Sequence, residues 1–433
     1  MEIKKLHEIF LACGQAVCTD TRKTEKGSVF FALKGANFNG NQFASKALES
    51  GCAYAVVDEK NPAVSDKYIL VDDVLKTLQQ LANYHRRQFD IPVIAITGSN
   101  GKTTTKELVS AVLSKKFKTQ NTEGNLNNHI GVPLTLLTIK KEHEIAVIEM
   151  GANHVGEIDA LCRIAEPGFG VITNIGKAHL EGFGGIEGVK KGKSELYKYI
   201  KEKNGTVFVH GDDEVINELS VANEKFTYGT KKLFDVVGKY SDSNLFVELA
   251  WRTRYTAPEL KDAPFVKSNI VGVYNYYNSL CAACIGIFFK VEDNLIQEAI
   301  EGYVPANNRS QLHKTANNVL ILDYYNANPS SMSLAIENFS EMQFQNKMLV
   351  LGDMLELGDA AFKEHALILQ MLREKKLEDY ILVGPIFSAL QKEKSFPNAS
   401  LAAEYVNESK VKNKTILVKG SRGIALEKVA EAL

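Results

Sequence analysis

At 433 residues, with 45% apolar and 24% charged side chains, the chain has material for about three ordinary domains and the composition of a soluble globular protein. A formal net charge of −1 gives no general attraction to nucleic acid or to a membrane surface, and no apolar run approaches the length of a bilayer span. Six scattered cysteines fit a reducing cytoplasm, and the segment Leu6 to Cys13 is too short and polar for a signal peptide.

Residues 1–90 read as a small α/β domain. Strands are expected at Val29–Leu33, Ala53–Val57 and Tyr68–Val71, with a closing helix from Val74 to Arg87. Between the first two strands, Lys34, Asn37 and Asn41 lie in a loop dense in amides and glycines, and Thr21 and Arg22 add donors upstream. A polar ligand pocket and plain Asn-Gly turn chemistry are both open readings.

Ile91-Pro92 marks the start of a central domain over 91–303, because proline resists continuing the preceding helix. Val93–Thr97 is a β-favouring apolar run that stops at Gly98-Ser99-Asn100-Gly101 and restarts as a helical pattern from Lys102. A strand, a glycine turn and a helix N-terminus in succession make a phosphate-binding loop. Backbone N–H groups and the helix dipole receive phosphate oxygens, Lys102 reaches the β/γ-phosphates, and the Thr103 hydroxyl is placed for Mg²⁺, with Thr104 next in line. Only two residues separate the glycines, where the general pattern has four. The alternative is a strand-to-helix turn with an incidental lysine.

Downstream, the loop Thr122–Pro133 carries Asn125, Asn127, Asn128 and His129, which suit a polar substrate or simply cap the next helix. A second strand runs directly into Glu149, a carboxylate placed for Mg²⁺ beside a phosphate loop. A third, Gly170–Ile175, leads to His179. Lys190, Lys191 and Lys193 follow on an apparent helix, where most lysines solvate a face. Cys281-Ala-Ala-Cys284 lies in an apolar helix-like stretch and reads as core.

The last third, 304–433, alternates strand and helix, with strands expected at Val319–Leu322, Met348–Leu351, Tyr380–Val383 and Thr415–Val418. This predicts a Rossmann-like parallel sheet without a dinucleotide motif. Asp323–Pro329, Gly352–Gly358 and Lys419–Gly423 should share one polar rim at its strand ends. The fold class is therefore α/β in three domains, with a P-loop parallel sheet at the centre.

On Thr97–Thr104, Asn174–Glu181, Tyr325–Pro329, Leu351–Gly358 and Lys419–Arg422, the whole chain resembles the Mur ligase family of ATP-dependent amide-forming enzymes of bacterial cell-wall synthesis. The C-terminal motifs are similar to those of its dipeptide-adding branch. That resemblance implies ATP and Mg²⁺ as cofactors, and UDP-N-acetylmuramoyl-tripeptide and D-alanyl-D-alanine as partners. It further implies a cytoplasmic monomer. Carried over by position, Gly98 to Thr104, Asn275, Asn278, Arg309, Asn326 and Asn328 would bind ATP, while Thr103, Glu149, His179 and a CO₂-modified Lys193 would hold metal. Lys102, His179 and Lys193 would be catalytic, and Thr21, Arg22, Lys34, Asn37, Asn41, Asn125, Asn127, Asn128, Asp353, Lys419, Ser421 and Arg422 would face substrate. Tyr274 stands where the family usually has histidine, and Asn308 where it usually has glycine. Two rival functions remain: the amino-acid-adding ligase one step earlier, and a nucleotide-gated binding protein.

Overall fold

The computed structural model describes residues 1–59, 66–241, 245–254 and 260–433. The chain divides into two units, one of Met1–Ile96, Phe117–Ala152 and Gly156–Gly170, the other of Thr97–Lys116, Asn153–Val155 and Val171–Leu433.

In the first unit, Val17–Cys18, Val29–Phe31, Tyr54–Val57 and Tyr68–Leu70 form a four-stranded sheet in that spatial order, parallel throughout. Three of these strands are legible as apolar runs; Val17–Cys18, at two residues, is too short to register. The helix Val74–Arg86 begins where the Asp73 side chain accepts from Lys76 N–H, so a capped start and an apolar stripe define it. Val93–Thr97 pairs in parallel with Ile145–Glu149, and that strand with Thr119–Asn121. Every residue of Val93–Thr97 and Ile145–Glu149 is buried, which is why both read as unbroken apolar runs.

The second unit departs from an all-parallel expectation. Thr206–His210, Glu224–Gly229 and Val236–Tyr240 are parallel, but Phe246–Thr253 and Val266–Val271 continue the sheet antiparallel. The strand expected at Gly170–Ile175 is Phe169–Ile172, and beyond it the Thr173 and Asn174 side chains both donate to Asn100 O. Tyr276–Phe288 is buried nearly all round and holds Cys281 and Cys284 as unpaired core residues.

The second sheet of this unit runs Gln311–Lys314, Val319–Asp323, Thr415–Lys419, Lys347–Gly352, Tyr380–Val383, Ser395–Phe396, parallel apart from the first edge strand. In this order Asp323 lies opposite Lys419, and Lys419 opposite Leu351, so three motif-bearing strand ends meet as expected. Among the described residues, no helix is long and apolar enough to cross a membrane.

Candidate functional site

The phosphate loop is shaped by two glycines. Gly101, just ahead of the helix Lys102–Leu113, has φ +77°, and a Cβ there would meet Asn278 Oδ1 at 2.6 Å. Gly98 has φ +143° and no room for a Cβ against Thr173. Both conformation and space therefore demand glycine. Among the described residues no side chain caps the helix start at Gly101, and a helix N-terminus of this kind receives anions well.

The loop is pinned from two directions. Ser99 N–H donates to Asn174 O at 3.0 Å, and Asn100 N–H to Asn174 Oδ1 at 3.0 Å. Ser99 Oγ bonds both backbone groups of Gly176, at 2.9 and 3.0 Å. From the last third of the chain, Asn328 Nδ2 donates to Asn100 Oδ1 at 2.7 Å, while its own Oδ1 caps the helix Pro329–Glu341. Asn326 instead accepts from Ala327 N–H. Lys102 folds over the loop, its Nζ 2.8 Å from Gly98 O and 3.2 Å from Ser99 O, and Thr103 and Thr104 are buried beneath.

His179 occupies a left-handed position, φ +51°, at the start of a short helix. Its Nδ1 lies 2.5 Å from Glu356 Oε2. His179 holds the Glu356 carboxyl below its usual range. Of the three neighbouring lysines, Lys191 is exposed and Lys190 pairs with Glu218 at 2.8 Å, whereas Lys193 is 1% exposed, its Nζ 5.2 Å from the centre of the Phe183 ring. Burial singles it out. A cleft of about 380 Å³ beside this loop is lined by Lys177, Ser330 and Glu364, with Lys177 Nζ 2.6 Å from Glu364 Oε1.

Asn275 and Asn278 lie three positions apart at the start of Tyr276–Phe288 and face the phosphate loop's helix. Asn278 Nδ2 donates to Asn275 Oδ1 at 2.8 Å, and Thr105 Oγ1 donates to Asn278 Oδ1 at 3.0 Å. Tyr274 meets Ser310 Oγ at 2.9 Å, and burial pushes its phenol up. Asn308 has φ +52°, which explains how asparagine substitutes for the glycine usual there: it tolerates the left-handed region. The Arg309 guanidinium lies 3.7 Å from the Tyr325 ring centre, with Arg422 5.3 Å from the same ring.

At the strand-end rim, Lys419 Nζ sits 2.6 Å from Asp323 Oδ2. Ser421 Oγ accepts from Leu355 N–H at 3.0 Å and donates to Ala327 O at 3.2 Å, stitching all three motifs together. Asp353 turns inward. It is 0% exposed, accepts from Ile386 and Phe387 N–H, and has its carboxyl pushed up by burial, so it braces the rim rather than lining it.

In the first unit, Glu149 is 1% exposed; Asn127 Nδ2 donates to its Oε1 at 2.7 Å, while Oε2 is buried with no hydrogen-bond partner among the described residues. Asn128 caps the helix Gly131–Leu137 through Ile130 and Gly131 N–H, and Asn125 is exposed. The exposed Arg22 binds Asp20, whose carboxyl falls to about 2 through that contact. Thr21 is half-buried and Asn37 exposed; Lys34 bridges Asp58 and Glu59 at 2.8 and 3.0 Å, and Asn41 bonds Asp58. Thr105, Ser310 and Asp58 are not legible as site residues, and Tyr325 and Glu356 are legible only as members of the rim motifs. Each earns its place through a partner far away in the chain.

Among the described residues, no three His, Cys, Asp or Glu side chains gather as a ready-made metal cluster. The buried Glu149 oxygen is a hard donor of the kind that suits Mg²⁺, an ion that takes few protein ligands and relies on phosphate oxygens for the rest.

Three family models match successive segments: a Mur ligase family catalytic domain over 15–86, a Mur ligase middle domain over 96–286, and a Mur ligase glutamate ligase domain over 308–422. A UDP-N-acetylmuramoyl-tripeptide--D-alanyl-D-alanine ligase of Bacillus subtilis is 36% identical, the match covering 96% of this chain and 92% of that protein. The Escherichia coli protein of the same name is 33% identical over 96% of this chain and 93% of its own. A crystal structure of MurF from Acinetobacter baumannii aligns with TM-score 0.86 at 33% identity, covering 96% of this chain and 92% of that one. MurF ligase from Thermotoga maritima, in complex with ADP, aligns with TM-score 0.83 at 27% identity, covering 97% of each.

Proposed function

The chain belongs to the Mur ligase family, and we infer that it joins D-alanyl-D-alanine to UDP-N-acetylmuramoyl-tripeptide in an ATP-driven reaction that passes through an acyl phosphate. It is an ATP-dependent ligase of three-domain α/β architecture, for which we propose limits of 1–90, 91–303 and 304–433. Whole-length relatives that carry this substrate pair in their names support the choice of substrates. One observation carries the ATP half: a helix N-terminus at Lys102–Thr104, reached through two obligatory glycines and pinned on both sides.

In the first step a carboxylate oxygen of the tripeptide bonds to the γ-phosphorus while the bond from that phosphorus to the β-phosphate's bridging oxygen breaks, releasing ADP. The dipeptide amine then attacks the acyl carbon. Its C–N bond forms, the bond from carbon to phosphate breaks, and the amine loses a proton. Repulsion between carboxylate and triphosphate is the principal obstacle, and Lys102 offsets it by exchanging its two carbonyl contacts for charged phosphate oxygens, the stronger acceptors. Asn275, Asn278 and Arg309 would orient the nucleotide, with Asn328 holding the loop from the far side. Thr103, Glu149, His179 and a carbamylated Lys193 are the proposed donors to Mg²⁺, which when bound would neutralise triphosphate charge. Lys419, Ser421 and Arg422 would receive the dipeptide, and Thr21, Arg22, Lys34, Asn37 and Asn41 the uridine nucleotide. A monomer in the cytoplasm is proposed on the same resemblance.

Phosphate release with ATP, Mg²⁺, the tripeptide nucleotide and D-alanyl-D-alanine tests the reading. Release should require both organic substrates and match pentapeptide formed. Release with a shorter acceptor and one amino acid would move the reaction one step earlier, and silence would leave a nucleotide-gated binder. Lys102→Ala should lower turnover by roughly a thousandfold; near-normal turnover would sink the phosphate assignment.

A further inference from the structure

Ser310 spends every polar group it has on joining other segments. It is 4% exposed and left-handed, at φ +50°. Its carbonyl accepts from Val271 N–H at 3.3 Å, its hydroxyl accepts from Asn275 Nδ2 at 2.9 Å, and its N–H donates to Asp323 Oδ1 at 3.3 Å. The other oxygen of Asp323 takes Lys419. On the opposite side, Asn275 Nδ2 uses its second hydrogen on Val271 O at 2.9 Å, so its Oδ1 is turned to Asn278, which in turn receives Thr105 from the phosphate loop's helix. Both amides are thereby fixed in orientation. A continuous hydrogen-bonded path runs Thr105, Asn278, Asn275, Ser310, Asp323, Lys419.

We propose that Ser310 is a positioning residue that ties the nucleotide side of the site to the dipeptide side. This rests on the reading above, in which Asn275 and Asn278 serve ATP and Lys419 serves the dipeptide. A nucleotide that tightens the asparagine pair draws on the Ser310 hydroxyl, and the Ser310 N–H, on the same residue, sets Asp323 and so the ammonium of Lys419. By linkage each ligand then improves the binding of the other by the same factor.

The test is Ser310→Gly, because glycine keeps the left-handed backbone and the N–H to Asp323 while deleting the hydroxyl alone. In the unaltered enzyme the KM for D-alanyl-D-alanine should fall about tenfold as ATP rises from far below to far above its own KM, the worth of one buried hydrogen bond. In Ser310→Gly that dependence should vanish with the KM for the tripeptide nucleotide unchanged, while the melting temperature falls by a few degrees because Tyr274 Oη and Asn275 Nδ2 lose their shared partner. Ser310→Cys, whose sulfur still accepts weakly, should restore part of it. Ser310→Ala serves as the second deletion should the glycine variant fold poorly. An interdependence of the two KM values that survives both deletions overturns the proposal, as does its absence from the unaltered enzyme. ADP affinity by calorimetry, expected to weaken about tenfold in the variant, judges the path without ligation. A ligation failure of the unaltered enzyme would therefore count against the substrate reading and not against Ser310.

Discussion

Gly101 carries two demands at once, a left-handed φ and the close approach of Asn278. Gly101→Ala places a methyl 2.6 Å from an amide oxygen that already holds Thr105, so either the loop or the asparagine must give way. ADP affinity measured by calorimetry should drop by at least tenfold, with the melting temperature falling by a few degrees. Unchanged ADP affinity would show that the loop tolerates a side chain. Asn308 meets only the first demand, φ +52°, and its backbone N–H has Gln311 as partner, so an asparagine serves there. The contrast explains why a glycine can be lost from one motif and not from another.

Among the elements, the helices Ile3–Ala12 and Val74–Arg86 are joined by a buried imidazole pair, His7 Nε2 to His85 Nδ1 at 2.9 Å. His85 Nε2 must donate to Ile139 O at 2.8 Å, so its Nδ1 is bare and accepts from His7; both rings are neutral. Burial lowers both, His85 to about 4. With folded values depressed, this stability is present above the unfolded value near 6.5 and is lost as pH falls from there towards 4, up to about 3 kcal/mol for His85. Chemical denaturation at pH 7 and pH 4.5 should show a steeper acid loss for the native chain than for His85→Gln; equal slopes would refute it.

At this same scale the sequence is uneven in what it discloses. Val93–Thr97, Val319–Asp323 and Thr415–Lys419 are buried on both faces and read as apolar runs. Val236–Tyr240, Phe246–Thr253 and Val266–Val271 interleave Lys239, Glu248, Arg252 and Lys267 with their apolar residues, and strands interrupted in that way escape a search for runs.

Over the whole molecule, local motifs were legible and long-range supports were not. Gly98 to Thr104 forms its cradle within one turn of chain, so its chemistry shows in the sequence. Ser310 and Asn275 stand 35 residues apart, and His179 meets Glu356 only through the fold. The bridge from Asn328 to Asn100 spans 228 residues and tests how far the site depends on assembly. Asn328→Asp keeps the helix cap but loses the donor to Asn100. The melting temperature should hold within a few degrees, while kcat/KM for ATP drops about tenfold; Asn328→Ala should lose both. Equal activity in the aspartate variant would make the bridge incidental.

That bridge also orders events during synthesis. A growing chain leaves the ribosome N-terminus first, so the loop around Asn100 is exposed to the cell's nucleotide pool while Asn278 and Asn328 have yet to be translated. Until they arrive, the loop lacks the asparagine that seats Gly101 and the one that holds Asn100. A chain that ends before the last third keeps Asn278 against Gly101 but lacks Asn328, so its phosphate loop is seated from one side only.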